Sequence, residues 1–323
     1  MAAPRLVATV LAAGVALSLT ACGPDPAAEA GDTPAAATRT VTDTFAGRSV
    51  EVPARPERVV ALWRTGAELV DIGLTPVGIL DGEIEAAELG AATVAEVGTV
   101  PTVGTTDGVD VEKVIALKPD LIVGMDNKRL KIDYEELRQV APTVILGIAE
   151  PTDVWDNYPK LAEIVGRTSD FTTRNAQLQA RLAGIARTYG DAIGKVATTS
   201  LGTYESSIFV DTGKSLTYRR VAAAGFGYNR TYATNPDRYV AELSAENIPS
   251  LDDQGALFYE VDITGRPTPS TRALIASPSF TRLVAVRAGR LFPLTSGVIY
   301  TFAAAQRQVD DLEAAAEKLA GRS

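Results

Sequence analysis

A recurring alternation of short apolar runs with amphipathic stretches constrains this chain more than any other feature. Arg58-Val59-Val60-Ala61-Leu62, Pro76-Val77-Gly78-Ile79-Leu80, Asp120-Leu121-Ile122-Val123-Gly124 and Thr143-Val144-Ile145-Leu146 are brief and almost wholly apolar. A strand with that composition must be covered on both faces. The intervening stretches supply the cover, so the rhythm predicts an α/β fold with a mostly parallel sheet. Thr65–Ile72 reads as a helix stopped by Gly73. Asp110–Leu117 reads as a helix with Asp110 as N-cap, ended by Lys118-Pro119, and Asp133–Val140 as another. Before the rhythm starts, Val41–Val52 alternates apolar and polar about Ala46-Gly47, the pattern of a β-hairpin. Val97–Val103 reads as extended around Pro101.

Residues 151–190 break the rhythm. Trp155–Val165 places Trp155, Tyr158, Leu161, Ala162 and Val165 on one helical face, and Ser169–Tyr189 spaces Leu178, Leu182 and Ile185 as one long helix. A stretch this long without a strand is a connector. Strands then resume at Lys195–Thr199, Ser207–Val210 and Ala256–Val261, with Leu216–Ala224 as a helix stopped by Gly225. Val284–Val286 and Arg290–Phe292 read as short extended pieces, and Tyr300–Leu319 as a closing helix. The halves echo each other: Glu112-x-Val114-x-x-Leu117 before Leu121-Ile122-Val123 parallels Glu246-x-Ile248-x-x-Leu251 before Leu257-Phe258-Tyr259, with Pro249 interrupting the second helix. The expected organisation is residues 41–150 as an N-terminal α/β lobe, 151–190 as connecting helices and 191–323 as a C-terminal α/β lobe.

The N-terminus reads as an export signal. Arg5 precedes the apolar run Leu6–Leu19, which is short for a membrane span, and the run ends in Leu19-Thr20-Ala21-Cys22. Small residues before a cysteine match the bacterial lipobox, in which the thiol accepts a diacylglycerol. Residues 1–21 are then a lipoprotein signal peptide and Cys22, the single cysteine of the chain, the lipidated residue. Several acyl chains on one cysteine anchor stably where one would be marginal. Residues 22–40, rich in Pro, Ala, Gly, Asp and Thr, read as a disordered tether.

Composition removes several chemistries. The chain has no histidine, so a Ser-His-Asp or Cys-His nucleophilic site cannot form, nor a zinc site that needs His. A net charge of −9 disfavours binding to nucleic acid. Asp252-Asp253 and Asp310-Asp311 are adjacent in sequence, and on a helix such neighbours do not face each other. No paired-carboxylate motif of an enzyme can be placed.

The string RVVALWRTGAELVDIGLTPVGILDG, then VPTVG, then VEKVIALKPDLIVG, resembles the solute-binding proteins of bacterial iron–siderophore and cobalamin import. Ser215–Gly225, LVAVRAGRLFPL and QVDDLEAA continue the resemblance to about Leu319. It implies two Rossmann-like α/β lobes, with mostly parallel sheets, joined by one long backbone helix and holding ligand between them. It implies a non-enzymatic, monomeric receptor on the outer face of the cytoplasmic membrane, serving an ATP-binding cassette permease. Its cargo would be a ferric siderophore, with no cofactor and no protein-bound metal. Cobalamin or haem carried by the same fold stays open. So does a ligand sensor or cell-envelope interaction protein that transports nothing.

Ligands of open α/β sheets sit beyond the carboxyl ends of the strands. The residues expected there are Trp63, Arg64, Thr106, Lys128, Arg129, Tyr204, Tyr218, Arg219, Arg220, Tyr259 and Tyr300. Aromatic side chains would wall the organic shell of a ferric complex, and arginines would donate to iron-bound oxygens. Trp63-Arg64, directly after a strand, is the leading pair. The resemblance also implies one acidic residue per lobe for docking on permease arginines: Glu68 or Glu96 on the first lobe and Glu246 on the second. Changing Cys22→Ser should move the protein from the membrane fraction to the soluble fraction. An uncleaved, still membrane-bound variant would overturn the lipobox reading.

Overall fold

The structure is a computed structural model that describes residues 37–205, 207–297 and 299–321. The signal peptide, Cys22 and most of the tether lie outside the described residues. Strands β1 (Thr38–Asp43) and β2 (Arg48–Pro53) form the antiparallel hairpin. The hairpin starts inside the stretch read as tether, because Thr38 to Thr40 carry no apolar signal yet pair with Pro53 to Glu51.

The first large sheet contains β3 (Val59–Ala61), β4 (Gly78–Leu80), β5 (Thr102–Thr105), β6 (Gly108–Val109), β7 (Leu121–Asp126) and β8 (Thr143–Gly147). Their order is β6-β5-β4-β3-β7-β8, and every pairing except β5 with β6 is parallel. The strands are short because they are buried from end to end: every residue of β3, β4 and β7 is buried. Caps fall where the side chains predict. Asp110 accepts from Lys113 N, and Asp133 from Glu135 N and Glu136 N. Gly73 takes the positive φ that ends the first helix, Gly66–Asp71.

The second sheet contains β9 (Thr198–Tyr204), β10 (Ser207–Asp211), β11 (Val240–Leu243), β12 (Ala256–Val261) and β13 (Leu291–Thr295), ordered β11-β10-β9-β12-β13. β9, β12 and β13 run parallel, whereas β10 pairs antiparallel with both β9 and β11. The connection from β9 to β10 is too short for a crossover, so it can only be a hairpin. Two extended readings are corrected. Val284–Arg287 is a helical turn, and helices Ala86–Leu89 and Ala91–Val97 occupy ground that includes the start of the expected 97–103 stretch. These helices are short and alanine-rich, with too few apolar residues to show a period. The echo of the first-lobe helix, Ala245–Leu251, is a 3₁₀ helix with Pro249 inside it, since proline removes an α-type donor.

Helix Thr168–Ile193 joins the sheets without a break, three residues past the expected 190 boundary. At 1.5 Å rise per residue it is about 39 Å long. The closing helix Phe302–Leu319 packs along it, and Arg181 bridges the two through Asp310 and Glu313. The closing helix also reaches the first lobe. The carboxylate of Asp71 accepts from Phe302 N and from Ala303 N at 3.2 Å, and Thr301 Oγ1 donates to Glu88 O at 2.8 Å. Tyr158, on the first connecting helix Thr152–Ile164, donates to the same Asp71 at 3.0 Å and to Glu68 O at 2.7 Å. A continuous helix braced by buried hydrogen bonds resists hinging better than paired loops do. Small-angle scattering with and without a bound ferric siderophore should therefore give superimposable envelopes. A marked compaction on binding would show that the brace opens.

Candidate functional site

The carboxyl ends of β9, β12 and β13 open onto a cavity of about 580 Å³. β10 and β11 form one wall, and the loop after β13 forms the opposite one. Tyr204, Tyr239, Tyr300 and Phe209 line it, together with the carboxylates of Asp211, Glu242 and Glu260 and the guanidinium of Arg238. Pro151 and Thr152, at the start of the connecting helices, close its first-lobe side. A groove of similar size, about 610 Å³, runs between the long helix and the closing helix. It lies away from the strand ends, so topology selects the β9–β13 cavity as the candidate site.

The loop carrying Tyr300 is held from behind. Arg220, only 4% exposed, donates to Ile299 O at 3.0 Å and to Gln308 at 3.3 Å, and its guanidinium sits 4.4 Å from the Trp155 ring centroid. Burial pulls its pKa down to about 9. Trp155 packs with Leu216, Ile299 and Tyr300, directly behind the cavity wall. Arg64 reaches the Tyr300 ring from the first lobe, 5.3 Å from its centroid and 5.6 Å from that of Trp63. Its φ of 58° is held by Glu83, whose carboxylate accepts from the backbone N–H groups of Arg64, Thr65 and Gly66. Its guanidinium is paired with Glu88 at 3.1 Å.

Of the residues expected at the site, Tyr204 and Tyr300 line the cavity and Arg64 packs over the Tyr300 ring. The others are placed elsewhere. Trp63 packs on the first-lobe core beside Val60, Leu62 and Leu80. Thr106, Lys128 and Arg129 are exposed beyond β5 and β7, outside the cavity lining. Arg219 is exposed and paired with Asp156 at 2.8 Å. Arg220 braces the wall and is too buried to meet ligand, and Tyr218 stacks edge-on against Tyr228. Tyr259 packs with the cluster around Leu201 and Leu257 on the other face of the sheet.

Glu260 is the residue that the Tyr259 reading missed by one position. Strand side chains alternate, so choosing the wrong parity exchanges the cavity for the core. Its niche is made by two glycines: a Cβ on either Gly202 or Gly297 would collide with the Glu260 carboxylate. Burial pushes Glu260 up to about 7, with Asp211 adding repulsion. Burial likewise raises Asp211 to about 6, against the hydroxyls of Ser200, Ser215 and Thr217 that oppose the rise. Among the described residues no group of three or more His, Cys, Asp or Glu side chains converges to hold a metal ion.

The docking acids separate. Glu96 is exposed on helix Ala91–Val97 and Glu246 on the 3₁₀ helix. Glu68 is 1% exposed, and both its carboxylate oxygens lack a hydrogen-bond partner. A side chain sealed beneath the lobe surface cannot meet a permease, so Glu68 is corrected to an interior acid. Burial raises its pKa well above 4.5, and Glu88 and Glu83 push it further.

A family model described as "Periplasmic binding protein" matches residues 59–297. The probable siderophore-binding lipoprotein YfiY of Bacillus subtilis (strain 168) is 25% identical over 91% of this chain and 93% of its own length. The putative substrate-binding lipoprotein YhfQ of the same organism is 26% identical, and this chain spans 58% of its length. The siderophore periplasmic binding protein from the fuscachelin gene cluster of Thermobifida fusca superposes with a TM-score of 0.72 at 23% identity. The match covers 83% of this chain and 98% of that one. Petrobactin-binding YclQ of Bacillus subtilis superposes with a TM-score of 0.64 at 19% identity, covering 87% and 99%.

The interior acid has a measurable signature. A carboxyl whose native pKa is raised contributes stability below its unfolded value of about 4.5 and loses it as pH rises toward the native value. Glu68→Gln should therefore gain on the wild type by about 1.4 kcal/mol per pH unit over that window. Denaturant melts from pH 5 to pH 8 measure this. A gap between the two proteins that stays constant with pH would show that Glu68 does not titrate in that way.

Proposed function

Because the chain belongs to the periplasmic binding protein family, whose model spans residues 59–297, we propose that it is the lipid-anchored substrate-binding subunit of an ATP-binding cassette importer, with a ferric siderophore as cargo. The observation that carries this reading is the cavity at the carboxyl ends of β9, β12 and β13. At about 580 Å³, walled by Tyr204, Tyr239, Tyr300 and Phe209, it falls within the range of sites for drug-sized organic ligands. Relatives whose names specify siderophores or ferric complexes support the cargo class, among them the iron(3+)-hydroxamate-binding protein YxeB, 28% identical over 51% of this chain.

The protein works by capture and presentation. Tyrosine faces cover the organic shell of the complex, and the surrounding hydroxyls hydrogen-bond to its polar edge. The braced helix keeps both lobes in one arrangement, so the docking acids stand at a fixed separation. Glu96 on the first lobe and Glu246 on the second are the acids offered to the permease. Individually, exposed charge pairs contribute about 0–1 kcal/mol, so both lobes must engage together. The lipobox at Cys22 tethers the receptor to the outer face of the cytoplasmic membrane, close to its permease.

Ferric complexes quench nearby indoles, and the chain has only Trp63 and Trp155. Titration with ferric siderophores should quench tryptophan emission, and Trp155→Phe should remove the larger share because Trp155 stands behind the cavity wall. The double change Glu96→Ala with Glu246→Ala should leave this affinity unchanged and lower cellular iron uptake more than either single change. Failure to bind any of a ferric hydroxamate, catecholate or hydroxycarboxylate would sink the cargo assignment.

A further inference from the structure

Resting on the ferric-siderophore reading of the β9–β13 cavity, we infer that the cargo carries a cationic organic arm, an ammonium or guanidinium, which the protein receives between Asp211 and Glu260 under the tyrosines of the cavity wall. The sequence pointed the other way, toward arginines at the strand ends donating to iron-bound oxygens. In the fold three of those arginines are committed elsewhere, and the fourth, Arg129, is exposed beyond β7 and outside the cavity lining. Arg64 is paired with Glu88, Arg219 with Asp156, and Arg220 with Ile299 O and Gln308. The charged residues that do line the cavity are Asp211, Glu242 and Glu260 against Arg238. Glu242 and Arg238 are exposed at its rim, so the inner charges are the two carboxylates.

Asp211 and Glu260 are built into the wall. Glu260 occupies space that exists only because Gly202 and Gly297 have no side chain, and Gly297 has a φ of 81° that other residues rarely adopt. Asp211 closes β10 at the cavity wall, where burial raises its carboxyl and nearby hydroxyls, those of Ser215 and Thr217 among them, oppose the rise. Among the described residues neither carboxylate forms a salt bridge to lysine or arginine. Two acids that repel each other across a partly buried site lack a cation, and a guest cation would relieve both the burial and the repulsion. Their surroundings suit an organic cation. Tyr204 is 71% exposed at the mouth, and Tyr239 and Tyr300 face the same space. Aromatic faces beside carboxylates attract ammonium and guanidinium groups. Tyr300 already carries one guanidinium, that of Arg64, over its ring. A bare metal ion fits poorly, since no three ligating side chains converge among the described residues.

The test holds the iron centre constant and varies only charge. Ferric desferrioxamine B ends in an ammonium, its N-acetyl form is neutral there, and its N-succinyl form is anionic. Fluorescence titration of the lipid-free protein should show the ammonium form binding at least about tenfold tighter than the acetyl form, with the succinyl form weaker again. In Glu260→Gln and Asp211→Asn the three affinities should converge to within about threefold, mainly through loss of affinity for the ammonium form. The wild-type series alone decides the question if either variant fails to fold. Equal affinities, or preference for the succinyl form or for an anionic ferric tris-catecholate, would overturn the cationic arm and leave siderophore binding intact. Binding of none of these complexes would overturn siderophore binding and this inference with it.

Discussion

The buried carboxylate of Asp71 is the interaction on which the rest of the molecule depends. It lies on the first helix of the first lobe, yet it accepts from the N-terminus of the closing helix and from Tyr158 of the connecting helices. Burial raises its pKa, and the two backbone donors and Tyr158 counter that rise, as does Arg174 nearby. Leaving these donors unpaired in the interior would cost about 1–3 kcal/mol each, so the joint has one satisfactory arrangement. Around it Trp155, Tyr158, Phe171 and Phe302 stack edge to face with centroids 5.1–5.8 Å apart. A polar pin inside an aromatic cluster fixes the approach of the closing helix, and with it the loop that precedes that helix.

That loop is a wall of the candidate site, so the joint and the cavity are one construction. Arg220 ties Ile299 from the second lobe, and Arg64 supports Tyr300 from the first. Both arginines therefore bear on the cavity through the loop that carries Tyr300, as parts of its support. The same logic explains Glu83, which holds Arg64 in its left-handed backbone conformation by capping the helix that begins at Gly66. Glu68 is the exception in this region. It is buried beside Glu83 and Glu88 with no hydrogen-bond partner for either carboxylate oxygen, and the charge of Arg64 nearby offsets that burial only in part.

For a receptor that must capture and then release, a rigid frame has a functional consequence. Little closure is available, so selectivity has to come from the shape and charge of the preformed cavity. A wall of tyrosines accepts many organic shells, because aromatic contact tolerates variation. Discrimination then falls on the inner pair, Asp211 and Glu260, whose niche the glycines at 202 and 297 keep open.

The sequence by itself determined the architecture. Continuous burial of the short strands, capping aspartates at 110 and 133, and a 151–190 stretch without β signal are local properties, and local patterns decide local structure. The family resemblance was legible for the same reason, in motifs such as VEKVIALKPDLIVG that pack the first lobe. Charge at the site was not legible. Arg64, Arg219 and Arg220 read as free cations in one dimension, and their partners Glu88, Asp156 and Gln308 lie 24, 63 and 88 residues away. Glu68 looked like a surface acid because its neighbours in sequence do not reveal what covers it. Tyr259 and Glu260 differ by one step of strand parity, which only packing against the sheet resolves. Tertiary structure decided which charges neutralise each other and which remain facing the cavity, because ion pairing depends on proximity in space and the sequence specifies only proximity along the chain.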